Sequence, residues 1–173
     1  MKNREQRIYD IRDISRKERP EVAIIGRSNA GKSSLLNLLV GGKIAKVSKT
    51  PGCTLWLGLH VVEGATVVDL PGYGYARAPE QRLEVVDKLV EKYIALQRTD
   101  AVLLLVDSRR GMSEMDWRMM ELFSWARVMI VGTKADKKDS MKTVDFNFVT
   151  SSLNKSGIDQ IKSYIRSLSE PAG

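Results

Sequence analysis

Eight consecutive residues, Gly26, Arg27, Ser28, Asn29, Ala30, Gly31, Lys32 and Ser33, have the types and spacing to hold a polyphosphate. They match the pattern GxxxxGK[ST], and each part has a physical task. The glycines let the backbone wrap closely round phosphate oxygens, with its N–H groups pointing inward. A helix beginning at Lys32 would present its positive end to the same anion. Lys32 suits the β and γ phosphates, and the Ser33 hydroxyl suits Mg²⁺. At ordinary residue frequencies such a match arises by chance in roughly 1 in 200 chains of this length.

Three later segments fit the same chemistry and occur in the matching order. Asp69, Leu70, Pro71 and Gly72 form DxxG. The carboxylate can hold a Mg²⁺-bound water, and the Gly72 N–H can reach a γ-phosphate. Thr133, Lys134, Ala135 and Asp136 follow another apolar run. The Asp136 carboxylate can accept from guanine N1–H and N2–H₂ while the Lys134 stem covers the ring. Adenine lacks that donor pair, so the segment selects GTP over ATP. Ser151, Ser152 and Leu153, after the last strand, can offer a backbone N–H to guanine O6. Each of these short segments is weak alone; their joint order and placement carry the reading.

The elements that must position these residues are legible from periodicity. Glu21 to Ile25 reads as a buried strand, and Lys32 to Val40 as a helix with Leu35, Leu36, Leu38 and Leu39 on its apolar side. Gly41 and Gly42 stop that helix. Leu55 to Val62 and Ala65 to Asp69 form a hairpin joined at Glu63-Gly64. Pro79 to Gln97 is an amphipathic helix. Ala101 to Asp107 is a continuous apolar strand ending in a carboxylate. Ser113 caps a helix to about Trp125, with Glu114 and Asp116 in its first turn. Val128 to Thr133 and Phe146 to Thr150 are strands, and Gly157 to Leu168 a closing helix. The alternation predicts an α/β domain: a mostly parallel six-stranded sheet with helices on both faces and one antiparallel strand. Each motif then sits at the C-terminal end of a strand, where open α/β sheets bind ligands. Residues 1–20 read as a short extension and 21–173 as one domain. In the extension, Ile8, Ile11 and Ile14 suit a helical face, while Tyr9 and Ile11 suit an edge strand.

Composition narrows the class. The chain has 173 residues, 43% of them hydrophobic, enough for a real core. The net charge is +7, which favours an anionic partner such as RNA, a nucleotide or a membrane surface. A single cysteine, Cys53, excludes an internal disulfide and suits a reducing compartment. The longest apolar runs are strand-sized, well short of the ~20 residues of a membrane span. The charged N-terminus lacks the apolar stretch of a signal peptide. The expectation is a cytoplasmic monomer. The sole histidine, His60, alternates along a strand and reads as structural.

Taken together, GRSNAGKSSLLN, TPGCT, DLPGYGYA, LLLVDSRRG, TKAD and SSLNKSGID make the chain resemble the EngB (YihA/YsxC) group of translation-factor-like small GTPases. The resemblance runs from about Val22 to Ile165. It implies a Ras-like P-loop fold, binding of GTP, GDP and Mg²⁺, GTP hydrolysis, and a role in assembly of the large ribosomal subunit, through its rRNA and protein, with an effect on cell division and septation. Residue by residue it implies Mg²⁺ ligands at Ser33, Thr54 and Asp69, with Thr54 preferred to Thr50 because the family motif reads Pro-Gly-basic-Thr. It implies nucleotide contacts from Gly26 through Ser34, from Gly52, Cys53, Thr54, Leu55 and Trp56, from Asp69 through Gly72, from Thr133 through Asp136 and from Thr150 through Leu153. Lys32, Asn29, Thr54 and Gly72 would assist the reaction.

This sequence departs from the group's pattern in several places. Cys53 replaces a basic residue and Leu55 replaces glutamine; Thr133 stands where many GTPases have asparagine, though threonine is usual in this group. Only fourteen residues separate Asp136 from Ser151, too few for a strand and the full helix expected there. Tyr73 occupies the position after the DxxG glycine where many GTPases orient water with glutamine or histidine; a tyrosine there is a packing residue rather than a base. Asn29 matches an asparagine that binds K⁺ in related GTPases, so K⁺ could supply the charge an arginine finger otherwise brings. The loops Gly42–Thr54 and Gly72–Pro79 are expected to respond to nucleotide state. Rival readings are a GTPase of RNA modification or transport, and a non-catalytic nucleotide-bound scaffold at the division site.

Overall fold

The computed structural model describes residues 6–42, 56–74, 80–137 and 144–170. Strands are β1 (Gln6–Ile8), β2 (Glu21–Gly26), β3 (Leu57–Val62), β4 (Ala65–Asp69), β5 (Ala101–Asp107), β6 (Arg127–Thr133) and β7 (Phe148–Val149). Helices are α1 (Lys32–Val40), α2 (Glu80–Ala95), α3 (Glu114–Leu122) and α4 (Ile158–Ser169), with a 3₁₀ turn at Ile11–Asp13.

The strands form one sheet in the order β1-β3-β4-β2-β5-β6-β7. β4, β2, β5, β6 and β7 pair in parallel. β3 runs antiparallel to both its neighbours, β4 and β1, so a single strand is reversed, as the sequence implied. The sheet has seven strands rather than six. The added one is β1, which places Gln6, Arg7 and Ile8 opposite Leu59, Gly58 and Leu57. It exists because Ile8 is buried beneath the sheet, a long-range contact that three residues of local pattern cannot announce.

Alternate residues of the central strands feed two cores. Val22, Ile24, Leu103 and Leu105 meet Leu35, Leu36 and Leu39 of α1 and Ile158, Ile161 and Ile165 of α4. Ala23, Ile25, Val102 and Leu104 meet Leu89 and Tyr93 of α2 and Met119 and Phe123 on the α3 side. Burial on both faces explains why these strands read as unbroken apolar runs. Each fully buried Leu or Ile contributes about 1.5–3 kcal/mol.

Several boundaries move, and three of the shifts have a clear cause. α2 ends at Ala95 rather than Gln97, because Gln97 adopts a left-handed φ of 46°. α3 ends at Leu122 rather than Trp125, since Phe123 turns inward and is fully buried. β7 shrinks to two residues because the Asn147 side chain takes the Ile130 N–H at 2.7 Å, the bond a longer ladder would use. Of the short stretch after Asp136, residues 138–143 lie outside the described residues, and 144–150 hold no helix. His60 is buried within the β3–β4 pairing, in keeping with a structural role. Among the described residues no helix is long and apolar enough to cross a membrane.

Candidate functional site

The C-terminal ends of β2, β4, β5 and β6 bring the predicted residues to one sheet edge. β2 delivers its last residue, Gly26, against β5: a Cβ there would lie 2.7 Å from the Leu105 carbonyl oxygen, so only glycine lets the loop leave the sheet at this point. The chain then turns through Asn29, at φ 67°, and Gly31, at φ 96°, into α1. Asparagine tolerates that left-handed conformation better than most side chains. Gly31 caps α1 with no side chain over the first turn. The amides of Lys32, Ser33 and Ser34 therefore have no partner within the helix and face the loop's interior.

Lys32 reaches back to the Gly26 carbonyl at 3.4 Å, a long contact that curls the side chain over the loop. Burial pushes its ammonium pKa down, and Asp69 partly offsets this. A partly dehydrated cation held this way is poised to gain from a phosphate. Asp69 is the last residue of β4, 8% exposed, in register with Ile24. The oxygen donors Ser33 and Asp69 suit Mg²⁺, which keeps several waters and takes only one or two protein ligands beside phosphate oxygens. Thr54, with Gly52, Cys53 and Leu55, lies outside the described residues.

The segment after β4 lies on the phosphate loop. The Ser28 N–H donates to the Tyr73 carbonyl at 2.9 Å, and Tyr73 forms a parallel bridge with Arg27. Pro71 and Gly72 are buried beside it. The Tyr73 hydroxyl donates a short hydrogen bond to Oδ1 of Asp116. Burial, then this bond, drives the phenol pKa far up, so Tyr73 is a positioned side chain and no base.

At the base-reading end, Thr133 closes β6. Its hydroxyl donates to the Ala30 carbonyl at 2.7 Å, tying the strand end to the phosphate loop, the tie that makes threonine serviceable here. Lys134, at φ 60°, turns its ammonium onto the Asn29 carbonyl at 2.8 Å and onto Asp107 at 2.9 Å. Asp136 accepts from the Ser151 hydroxyl at 2.5 Å, which holds its carboxyl below the usual range, with Lys137 adding to the effect. The Ala135 N–H donates to the Thr150 carbonyl, and the Leu153 N–H to the Ser151 hydroxyl oxygen. Ser152 and Leu153 are exposed, and a cleft between α1 and this corner is lined by Gly31, Ser34, Leu38, Thr133, Lys134 and Ser152.

Two carboxylates were not assigned a site role from sequence. Asp107, the acid ending β5, accepts from the Arg109 guanidinium at 2.7 and 2.9 Å as well as from Lys134. Its position at the ligand edge was the available signal. Asp116, placed only in a helix first turn, is buried and completes a capping box with Ser113.

Residues 21–134 match the family described as 50S ribosome-binding GTPase. The chain is 39% identical to the probable GTP-binding protein EngB of Yersinia enterocolitica, in an alignment covering 88% of this chain and 80% of that one. It is 43% identical to its counterpart in Aquifex aeolicus, covering 68% of this chain and 67% of that one. The chain belongs to the EngB family of GTP-binding proteins. As an EngB-family GTPase it binds guanine nucleotide and hydrolyses GTP, and the family's dependence on Mg²⁺ fits the Ser33 and Asp69 donors. The fold agrees: a probable GTP-binding protein engB superposes with TM-score 0.67 at 21% identity, covering 86% of this chain and 97% of that one. Era in complex with MgGDPNP and a segment of 16S ribosomal RNA superposes with TM-score 0.69 at 22% identity, covering 89% and 58%.

Proposed function

We propose that this EngB-family chain is a GTP-driven switch in assembly of the large ribosomal subunit, working in the cytoplasm as a monomer and linked to normal division and septation. The observation that carries the nucleotide part is the joining of two recognition ends by Lys134. It anchors on Asn29 in the phosphate loop while Asp136, two residues on, is oriented by Ser151. In this reading Lys32 and the amides from Asn29 to Ser34 hold the phosphates, and Asp136 with the 150–153 turn reads guanine. Gly72 donates to the γ-phosphate, and Thr54 with the rest of 52–56 contacts the nucleotide. Ser33, Thr54 and Asp69 would hold Mg²⁺, which when bound neutralises charge between the β and γ phosphates. Asn29 has an exposed side chain and would help hold K⁺ against the transition-state charge; turnover in K⁺ and Na⁺ at equal ionic strength should then differ. Residues 21–173 form the G domain, and 1–20 an extension that lends its sheet the strand β1.

The ribosomal part is supported by the description of the matched family and by the net charge of +7. Cosedimentation with large subunits in GDP and GTP-analogue states tests it. The reading predicts nucleotide-dependent, salt-sensitive association. Absence of association in both states would reject it.

A further inference from the structure

Tyr73, the residue after Gly72, is tied down through both its backbone and its side chain. Tyr73 is clamped at three points: its N–H on the Gly26 carbonyl at 3.4 Å, its carbonyl on the Ser28 N–H at 2.9 Å, and its hydroxyl on Asp116. Asp116 is itself fixed. It is 1% exposed, and its Oδ2 accepts from the Ser113 N–H at 2.7 Å and the Ser113 hydroxyl at 2.6 Å. The second oxygen is thereby left aimed at Tyr73, and the carboxylate that caps α3 also ends the segment leaving β4.

We propose that Asp116 is a positioning residue for GTP: through the Tyr73 hydroxyl it holds Gly72 against the phosphate loop, so that the γ-phosphate meets an ordered donor. The inference rests on the role given above to Gly72. The physical reason is entropic. A backbone amide that must be ordered on binding weakens the contact it makes, whereas one already held does not. Because Gly72 addresses only the γ-phosphate, the gain applies to GTP and not to GDP. The same bonds connect nucleotide state to α3, whose outer face exposes Met115 and Trp117.

The test compares Tyr73→Phe, Asp116→Asn and the double variant in the full chain, with GDP and a non-hydrolysable GTP analogue titrated against each. Asparagine retains an acceptor for the Ser113 N–H, so the helix cap survives. Each single variant should bind the analogue about five- to tenfold more weakly, the scale of one hydrogen bond to a carboxylate, with GDP binding within about twofold of the parent. The double variant should lose no more than either single one. Equal losses for both nucleotides, an unchanged analogue-to-GDP ratio, or tighter analogue binding would each overturn the proposal. Gly72→Ala is the parallel arm. If it too leaves the ratio unchanged, the γ-phosphate role of Gly72 fails; if it lowers the ratio while Tyr73→Phe does not, only the positioning role of Asp116 fails.

Discussion

Replacing Asp107 with asparagine should separate the two recognition ends without disturbing the sheet. The carboxylate accepts from Lys134 at 2.9 Å, from the Arg109 guanidinium at 2.7 and 2.9 Å and from the Arg109 N–H at 3.1 Å. Asparagine keeps one acceptor oxygen but turns an NH₂ toward a cation. The Lys134 and Arg109 side chains are 30% and 36% exposed, so water replaces part of the loss. The net cost should be about 2 kcal/mol, below that of a buried charge left unpaired. For a chain of this size that is a Tm fall of about 4–8 °C. Lys134 then loses one of its two anchors, and GDP affinity should fall about fivefold, roughly 1 kcal/mol. Arg109, with Lys134 adding to it, depresses the folded pKa of Asp107. Its contribution is therefore present above the unfolded carboxylate pKa of about 3.9 and fades as pH falls through that value toward the lower folded one. The variant should lose the share of the parent's acid-side slope below about pH 4 that Asp107 supplies, leaving a shallower slope. Thermal scans across pH, with titration of a fluorescent GDP, measure all three quantities. A Tm within about 1 °C of the parent, an unchanged acid slope and unchanged GDP affinity would refute the reasoning.

Other substitutions probe separate parts. Gly26→Ala places a methyl 2.7 Å from the Leu105 carbonyl, and should cost about 1–3 kcal/mol of stability together with phosphate binding; calorimetry with GDP checks both. Arg98→Ala strips the guanidinium from Glu21, which is 1% exposed, leaving Tyr93 as its one side-chain partner among the described residues. It should cost about 3–5 kcal/mol in urea unfolding, while base preference stays guanine.

Much of the site was readable because its parts are local. The run from Gly26 to Ser33 needs only its own glycines and the helix it starts, and α1 occupies Lys32–Val40 as its apolar spacing predicted. Glu63 and Gly64 both take positive φ, as a two-residue hairpin turn requires. What escaped was long-range. Tyr73 and Asp116 are 43 residues apart, and nothing in either neighbourhood says that a phenol will meet a helix cap. The capping box itself has an aspartate at its third position where glutamate or glutamine is usual, so only its first-turn acid was visible. Strand β1 depended on Ile8 finding the underside of a sheet built fifty residues later.

Binding of GDP and xanthosine diphosphate to Asp136→Asn, measured by calorimetry beside the parent, tests the central claim most directly. Xanthine carries a carbonyl where guanine carries its amino group, so an amide at position 136 should favour it. The account predicts that GDP affinity falls about a hundredfold or more while xanthosine diphosphate becomes the better ligand. A variant that still prefers GDP by the parent's margin would contradict it.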